Sequence, residues 1–223
     1  MIVIPISKEN LIFNREPLDY SEDFLFMKRW KSKTKKGTGT VMETWEIPIM
    51  QKHIDLLQVE GKDVLEIGFG MGISATMIQN AKPKSHTVIE SHPDVLNYFM
   101  EKCPYRDNVK LVPGFWQNVI MSLDKYDCIF FDTHMDKAED FFQLVDLKLR
   151  ENGKFTYFHW ENFHRKESLY NVERFPVEYE KVFYEGGKEK GTCMVPLYTK
   201  TKFSTFNKLY TTSPQQITNR ILY

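Results

Sequence analysis

The sequence predicts an α/β protein: one doubly wound, mostly parallel sheet ending in an antiparallel pair. Three observations carry this reading. Short apolar runs bounded by turn residues alternate with amphipathic stretches, the pattern of successive βαβ units. The first such run, DVLEI, leads into GFGMG, whose glycines permit a tight strand-to-helix turn. Near the end, VEYEKVFYE and GTCMVPLYT flank Gly186-Gly187, a hairpin signal.

Residues 1–40 carry Pro5, Pro17 and the polar run KSKTKKGTGT, and are expected to form a lid or flexible segment. Six of the nine residues from Lys28 to Lys36 are Lys or Arg, a solvated stretch or a dock for an acidic partner. The folded domain is expected over 41–200, with 201–223 as a tail. A helix is expected from residue 41, because Met42, Trp45, Ile49, His53 and Leu56 approximate one face. Strands are then expected at 63–69, 86–90, 109–113, 126–132 and 154–158. Helices are expected at 72–81, 93–103 and 136–152, the last stopped by Gly153. In such sheets ligands sit beyond the carboxyl ends of the strands, at the point where strand order reverses. The loops after residues 67, 90 and 131 therefore matter most.

The bulk properties exclude several classes. A chain of 223 residues, 42% hydrophobic and 27% charged, suits one soluble globular domain. Lys plus Arg and Asp plus Glu are both 30, so overall charge lends no support to a nucleic-acid partner. There is no long apolar run and no basic-then-apolar leader, so no membrane partner and a cytoplasmic place are expected. Cys103, Cys128 and Cys193 are scattered and odd in number, which gives neither a disulfide framework nor a metal pair. In HWENFH the five-residue spacing of His159 and His164 does not suit a helical metal pair, so no metal is expected.

The glycine stretch reads Glu66-Ile67-Gly68-Phe69-Gly70-Met71-Gly72. A dinucleotide fingerprint would place its third glycine at 73, where Ile73 stands. The pattern resembles instead the cofactor loop of the class I S-adenosylmethionine (SAM) methyltransferases, a Rossmann-like fold. Glu90, 22 residues after Gly68, ends the next strand, where a carboxylate can accept both ribose hydroxyls. Trp116 and Gln117 follow the third strand. A ring and a polar side chain there suit a flat heterocycle with an amino edge, and a place in the core is the alternative for Trp116. SAM contacts are thus expected from Glu66, Gly68, Phe69, Gly70, Met71, Gly72, Ile73, Glu90, Ser91, Trp116, Gln117 and Asp132.

The acceptor is addressed by other residues. The fourth strand ends FFDT, without the Pro-Pro-aromatic motif frequent in amino-methylating enzymes of nucleic acids. The segments VMETWEIPIM, VLEIGFGMGISA, VIESHPD, FWQN and FFDT, in this order from Val41 to about Tyr157, resemble the guanidinoacetate methyltransferases and their relatives, the fungal arginine delta-N-methyltransferases. The resemblance implies that Glu46 and Asp132 bind a substrate guanidinium and that Met42 and Met50 line the SAM pocket. Carboxylates match the fork of guanidinium N–H donors, and a positioned Asp can draw the proton that methylation must displace. Asp132 is therefore expected as base and Glu46 as orienting partner, with Glu43 a solvated helix residue. After the fifth strand stands Phe158-His159-Trp160-Glu161-Asn162 in place of the small polar residues of that family. His159 and Trp160 are expected to face the substrate, and a guanidine larger than guanidinoacetate, or one on a peptide, becomes the expected acceptor. His134, like His159, can lie near the substrate and help with proton transfer, with a structural role as the favoured alternative. An amide or amine acceptor, or a binding module without turnover, are the alternatives. Oligomeric state is open.

Overall fold

The structure, a computed structural model, describes residues 2–3, 18–20, 24–27, 39–102, 108–133, 138–158, 170–182 and 187–201. In chain order the strands are β1 (Ile2–Val3), β2 (Leu18–Tyr20), β3 (Phe24–Met27) and β4 (Gly39–Glu43). A 3-10 turn at Thr44–Glu46 leads into α1 (Ile47–Leu57). Then follow β5 (Asp63–Ile67), α2 (Ile73–Asn80), β6 (Ser85–Glu90), α3 (Pro93–Lys102), β7 (Val109–Pro113), α4 (Trp116–Val119) and β8 (Tyr126–Phe131). The chain continues through α5 (Ala138–Lys148), β9 (Leu149–Tyr157), β10 (Tyr170–Val182) and β11 (Lys188–Lys200).

The main sheet has the order β1-β7-β6-β5-β8-β9-β11-β10. It is parallel except at β11, which runs antiparallel to both β9 and β10. Successive strands step outward from β5 to β7, and the chain then returns to lay β8 on the other side of β5. The loops after β5 and β8 therefore diverge at the switch point, where a ligand crevice opens. A separate three-stranded meander, β2-β3-β4, delivers the chain to that crevice.

Alternation along the strands builds the two layers. Val64, Cys128 and Phe130 pack with Ile49, Met50, Ile54 and Leu57 of α1 and Ile78 of α2. Leu65, Ile67, Ile129 and Phe131 pack on the other face with Trp116 of α4 and Phe141, Phe142 and Val145 of α5. The strands β5 and β8 are buried on both faces, which is why they read as unbroken apolar runs.

The structure corrects the expected boundaries in two places. Residues 41–43 are strand, because Met42 and Glu43 pair with Leu25 and Phe24 of β3. The helix begins only at Ile47, where Pro48 falls in its first turn, the one place a helix accepts proline without losing a hydrogen bond. The helix expected over 136–152 ends at Lys148. Its last carbonyls are captured by Lys200, whose ammonium donates to the Asp146 oxygen at 2.7 Å and the Leu149 oxygen at 3.0 Å and pairs with the Asp146 carboxylate at 2.9 Å. The terminal hairpin is present and longer than expected, with Val182 opposite Lys188; Gly186 of its turn lies outside the described residues. Of the segment expected as a lid, the described parts are strands, while the basic run at 28–36 and residues 202–223 lie outside the described residues. Cys128 and Cys193 are free thiols, and Cys103 lies outside the described residues. Among the described residues no helix is long and apolar enough to cross a membrane.

Lys200 is 7% exposed, so its loss leaves two carbonyls without this donor and the Asp146 carboxylate without its counter-charge, holding only the long hydrogen bond from the Tyr170 hydroxyl at 3.4 Å among the described residues. Lys200→Met is expected to lower the unfolding free energy by about 2–3 kcal/mol in a urea titration, with the m-value unchanged.

Candidate active site

The site begins with a close approach of two backbones. The Asp132 N–H donates to the Ile67 oxygen at 2.9 Å, and the Gly68 N–H donates to the Ile89 oxygen at 2.9 Å. A Cβ on Gly68 would stand 1.7 Å from the Asp132 carbonyl oxygen, and Gly68 has φ +88°. Both facts require glycine. The loops after β5, β6 and β8 are thereby drawn together.

Glu90 holds the glycine loop. Its carboxylate accepts the N–H of Phe69 at 3.0 Å, of Ser91 at 2.6 Å and of His92 at 2.7 Å. Two carboxylate oxygens offer about four acceptor positions, so three amides leave room for one more donor. Met42, at the end of β4, covers the loop: its sulfur accepts the Met71 N–H at 3.3 Å, and a Cβ on Gly70 would meet that sulfur at 2.8 Å. Gln117 contributes a buried side-chain oxygen that no described residue satisfies.

Across the crevice stand two acids. Glu46, on the turn that starts α1, is 6% exposed, and its carboxylate accepts the Glu43 N–H at 3.2 Å. Burial, then the charge of Asp132, then that of Glu43 push its pKa up to about 9, against the lowering effects of the Glu43 amide and Lys181. Asp132 is half-buried as a residue, but its carboxyl lies deep. Burial first and the charge of Glu66 second push it up to about 7. The charge of Asp132 thus opposes ionisation of Glu46, and that of Glu66 opposes ionisation of Asp132.

The other expected residues divide. Glu66 is expected to meet the cofactor, but it is fully buried, with one oxygen accepting from Ser74 Oγ and the other 2.9 Å from His86 Nε2. Gln79 continues this chain to His86 Nδ1 at 3.2 Å, so Glu66 braces α2 against β5 and β6 and offers no carboxylate surface to a ligand. Met50 is fully buried in the core under α1, and the Phe69 ring is in the core against Phe99 at 4.9 Å; only the Phe69 backbone serves the loop. The Trp116 ring is 2% exposed and packs edge-on against Phe131 at 5.9 Å and Phe141 at 5.3 Å, the core alternative. Met71 and Gly72 form the turn into α2, whose first residue is Ile73. His134, His159 and Trp160 lie outside the described residues.

Glu43 corrects the reading more sharply. It is not a solvated helix residue: it is 7% exposed, accepts from Trp45 Nε1 at 2.8 Å and pairs with Lys181 at 2.9 Å. No local pattern signals this, since Lys181 arrives from β10. His53 is likewise buried on α1, with Nδ1 2.6 Å from Thr156 Oγ1, and burial lowers its pKa to about 3, which keeps the ring neutral.

The profile of the guanidinoacetate N-methyltransferase family matches residues 32–158, more than half of the chain. The chain is 33% identical over 161 residues to protein arginine N-methyltransferase 2 of Saccharomyces cerevisiae, covering 66% of this chain and 37% of that protein. To the protein of the same name from Kluyveromyces lactis it is 32% identical over 216 residues, covering 89% of this chain and 51% of that one. The chain thus spans about half the length of these curated relatives, or less. Among solved structures, a precorrin-6Y C5,15-methyltransferase from Geobacter metallireducens superposes with TM-score 0.56 at 18% identity, covering 68% of this chain and 87% of that one. The N-methyltransferase NodS from Bradyrhizobium japonicum superposes with TM-score 0.53 at 12% identity, covering 71% and 97%. At these identities the likeness establishes the fold, a Rossmann-like class I SAM methyltransferase.

The raised acids have a consequence for stability. A carboxyl held above its unfolded pKa stabilises the fold at low pH and loses that contribution as pH rises through the folded value. For Glu46 the window runs from about 4.5 to about 9, and for Asp132 from about 3.8 to about 7. Glu46→Gln is therefore expected to raise the thermal midpoint at pH 8–9 relative to wild type, and to leave it nearly unchanged at pH 4. Thermal unfolding across that pH range checks this.

Proposed function

The chain belongs to the guanidinoacetate N-methyltransferase family, and we propose that it transfers a methyl group from SAM to a guanidino nitrogen of an arginine side chain. The observation that carries this reading is the pair of buried carboxyls, Glu46 and Asp132, beside the glycine loop, with the charge of Asp132 opposing ionisation of Glu46. Acids so placed bind a cation better than a neutral amide or hydroxyl, because the cation offsets the burial and the like charge that favour their protonated forms.

The residues around the glycine loop fit SAM. The unsatisfied oxygen of Gln117 is an acceptor for an amino-bearing heterocycle. The remaining acceptor position of Glu90 suits a sugar hydroxyl, and the Gly68–Gly72 turn leaves backbone open to a ligand. When bound, SAM supplies an electrophilic methyl group on a sulfonium.

The chain's own residues do the remaining work. Glu46 and Asp132 accept N–H donors of the guanidinium, which fixes its plane and turns one nitrogen toward the methyl donor. Glu46 holds a proton at neutral pH and gives it up as the cation enters. A guanidinium nitrogen has no free lone pair, so a proton must leave as the new N–C bond forms. Asp132 takes that proton. An acid held near pH 7 is suited to the task, being ionised often enough to act and basic enough to accept. The adjacent Glu46 carboxylate keeps the substrate from turning while Asp132 acts.

The relatives' name, protein arginine N-methyltransferase 2, supports a peptide-borne arginine as acceptor. Incubation with methyl-labelled SAM and, in parallel, guanidinoacetate, free arginine and an arginine peptide tests this. Label is expected in the arginine peptide, and label confined to guanidinoacetate would overturn the acceptor. Asp132→Asn is expected to cut turnover by about 100-fold or more, the usual contribution of a positioned base, with the SAM dissociation constant changed by less than about threefold. Near-wild-type turnover in that variant would remove Asp132 from the mechanism.

A further inference from the structure

From the contacts between the terminal hairpin and the acid-bearing turn, we propose that Lys181 is a positioning residue that fixes Glu46 for guanidinium binding by holding Glu43 and Trp45. The inference rests on the reading of Glu46 as a guanidinium acceptor.

Lys181 belongs to β10 and reaches across to the end of β4. Its ammonium lies 2.9 Å from Glu43 Oε2 and 5.0 Å from the centroid of the Trp45 ring. The same Glu43 oxygen accepts from Trp45 Nε1 at 2.8 Å. Tyr179, two residues earlier on the same face of β10, stacks obliquely on Trp45 at 5.0 Å. The Glu43 backbone N–H then donates to Glu46 Oε1 at 3.2 Å. One cation thus holds a carboxylate and an indole on either side of the turn whose next acid faces the substrate. The Lys181 side chain is only 26% exposed and that of Glu43 9%, so water competes weakly for this pair.

The charge balance around Glu46 makes Lys181 matter beyond packing. Among the described residues, the titratable groups acting on Glu46 are Asp132 from the end of β8, Glu43 from β4, Lys181 from β10 and Cys193 from β11, whose thiol is pushed up to about 11 by burial and by Glu46. Lys181 is the single cation in this described set. Without it, Glu43 becomes an uncompensated acid beside two others. Glu46 then holds its proton more tightly, and an incoming guanidinium must displace it at greater cost. The cation–carboxylate pair also fixes the Glu43 amide that orients Glu46. Loss of Lys181 therefore weakens substrate binding and leaves the methyl donor's side of the crevice, Met42, Glu90 and Gln117, as it was.

The test uses the whole chain, methyl-labelled SAM and an arginine peptide, with free arginine in parallel. Lys181→Met is expected to raise the KM for the guanidine about tenfold, the effect of losing one charged contact, with kcat and the SAM dissociation constant within about twofold. The pH at which KM falls is expected to move upward. Lys181→Arg, which keeps the charge, is expected to stay near wild type. Adding Glu43→Gln to Lys181→Met removes the stranded charge while keeping an acceptor for Trp45, and is expected to recover most of the loss. An unchanged KM and pH profile in Lys181→Met, with Glu46→Gln impaired, would overturn the inference alone. Equal loss of SAM binding, or no recovery in the double variant, would overturn it by making Lys181 a general support of the fold. An unchanged KM in Glu46→Gln would overturn the guanidinium reading itself.

Discussion

Two carboxyl groups, Glu46 and Asp132, are buried in one crevice, and everything around them answers to that fact. Burial opposes the charge of each, and the charge of Asp132 further opposes that of Glu46. Two buried acids are costly when both are ionised, and a cation placed between them would offset that cost.

The surrounding structure keeps the acids in place despite this tension. Gly68 lets β5 and β8 loops touch, so that Asp132 is fixed by its own backbone. Glu66, beneath it, is itself held by Ser74 and His86, which keeps a third carboxylate from swinging into the crevice while its charge still raises Asp132. On the opposite side, the turn before α1 is tied to β10 through Glu43, Trp45 and Lys181. The two acids therefore come from different elements, Asp132 from the end of central strand β8 and Glu46 from the turn before α1, which the terminal hairpin braces.

Local pattern made the sheet legible. The strands β5, β6 and β7 lie between glycines or prolines, and β8 between Asp124-Lys125 and Asp132; all four are largely buried, so they could be read directly. The same pattern misled at 41–46, where a helical spacing of Met42 and Trp45 masked a strand, although Pro48 marked the true start of α1. It misled again at 149–153, because the helix is ended by an ammonium from β11 that no local window contains. In the site, Glu46 and Asp132 were legible only through a family resemblance, since isolated acids at a turn and a strand end carry no signal of their own. Glu43 was misread because its partner Lys181 lies far along the chain, and Glu66 because an acid before a glycine loop looks the same whether it faces a ligand or α2.

One measurement bears most directly on the paired acids: calorimetric titration of an arginine peptide into the protein saturated with S-adenosylhomocysteine, which carries no transferable methyl group, at pH 7.5 in two buffers of different ionisation enthalpy. Before the peptide binds, Glu46 and Asp132 together hold at least about one proton at that pH, and an incoming guanidinium must expel it. The expected result is net release of about one proton on binding, abolished in Glu46→Gln. Binding with the same apparent enthalpy in both buffers would mean that the acids are already ionised or do not meet the guanidinium, and would contradict the site described above.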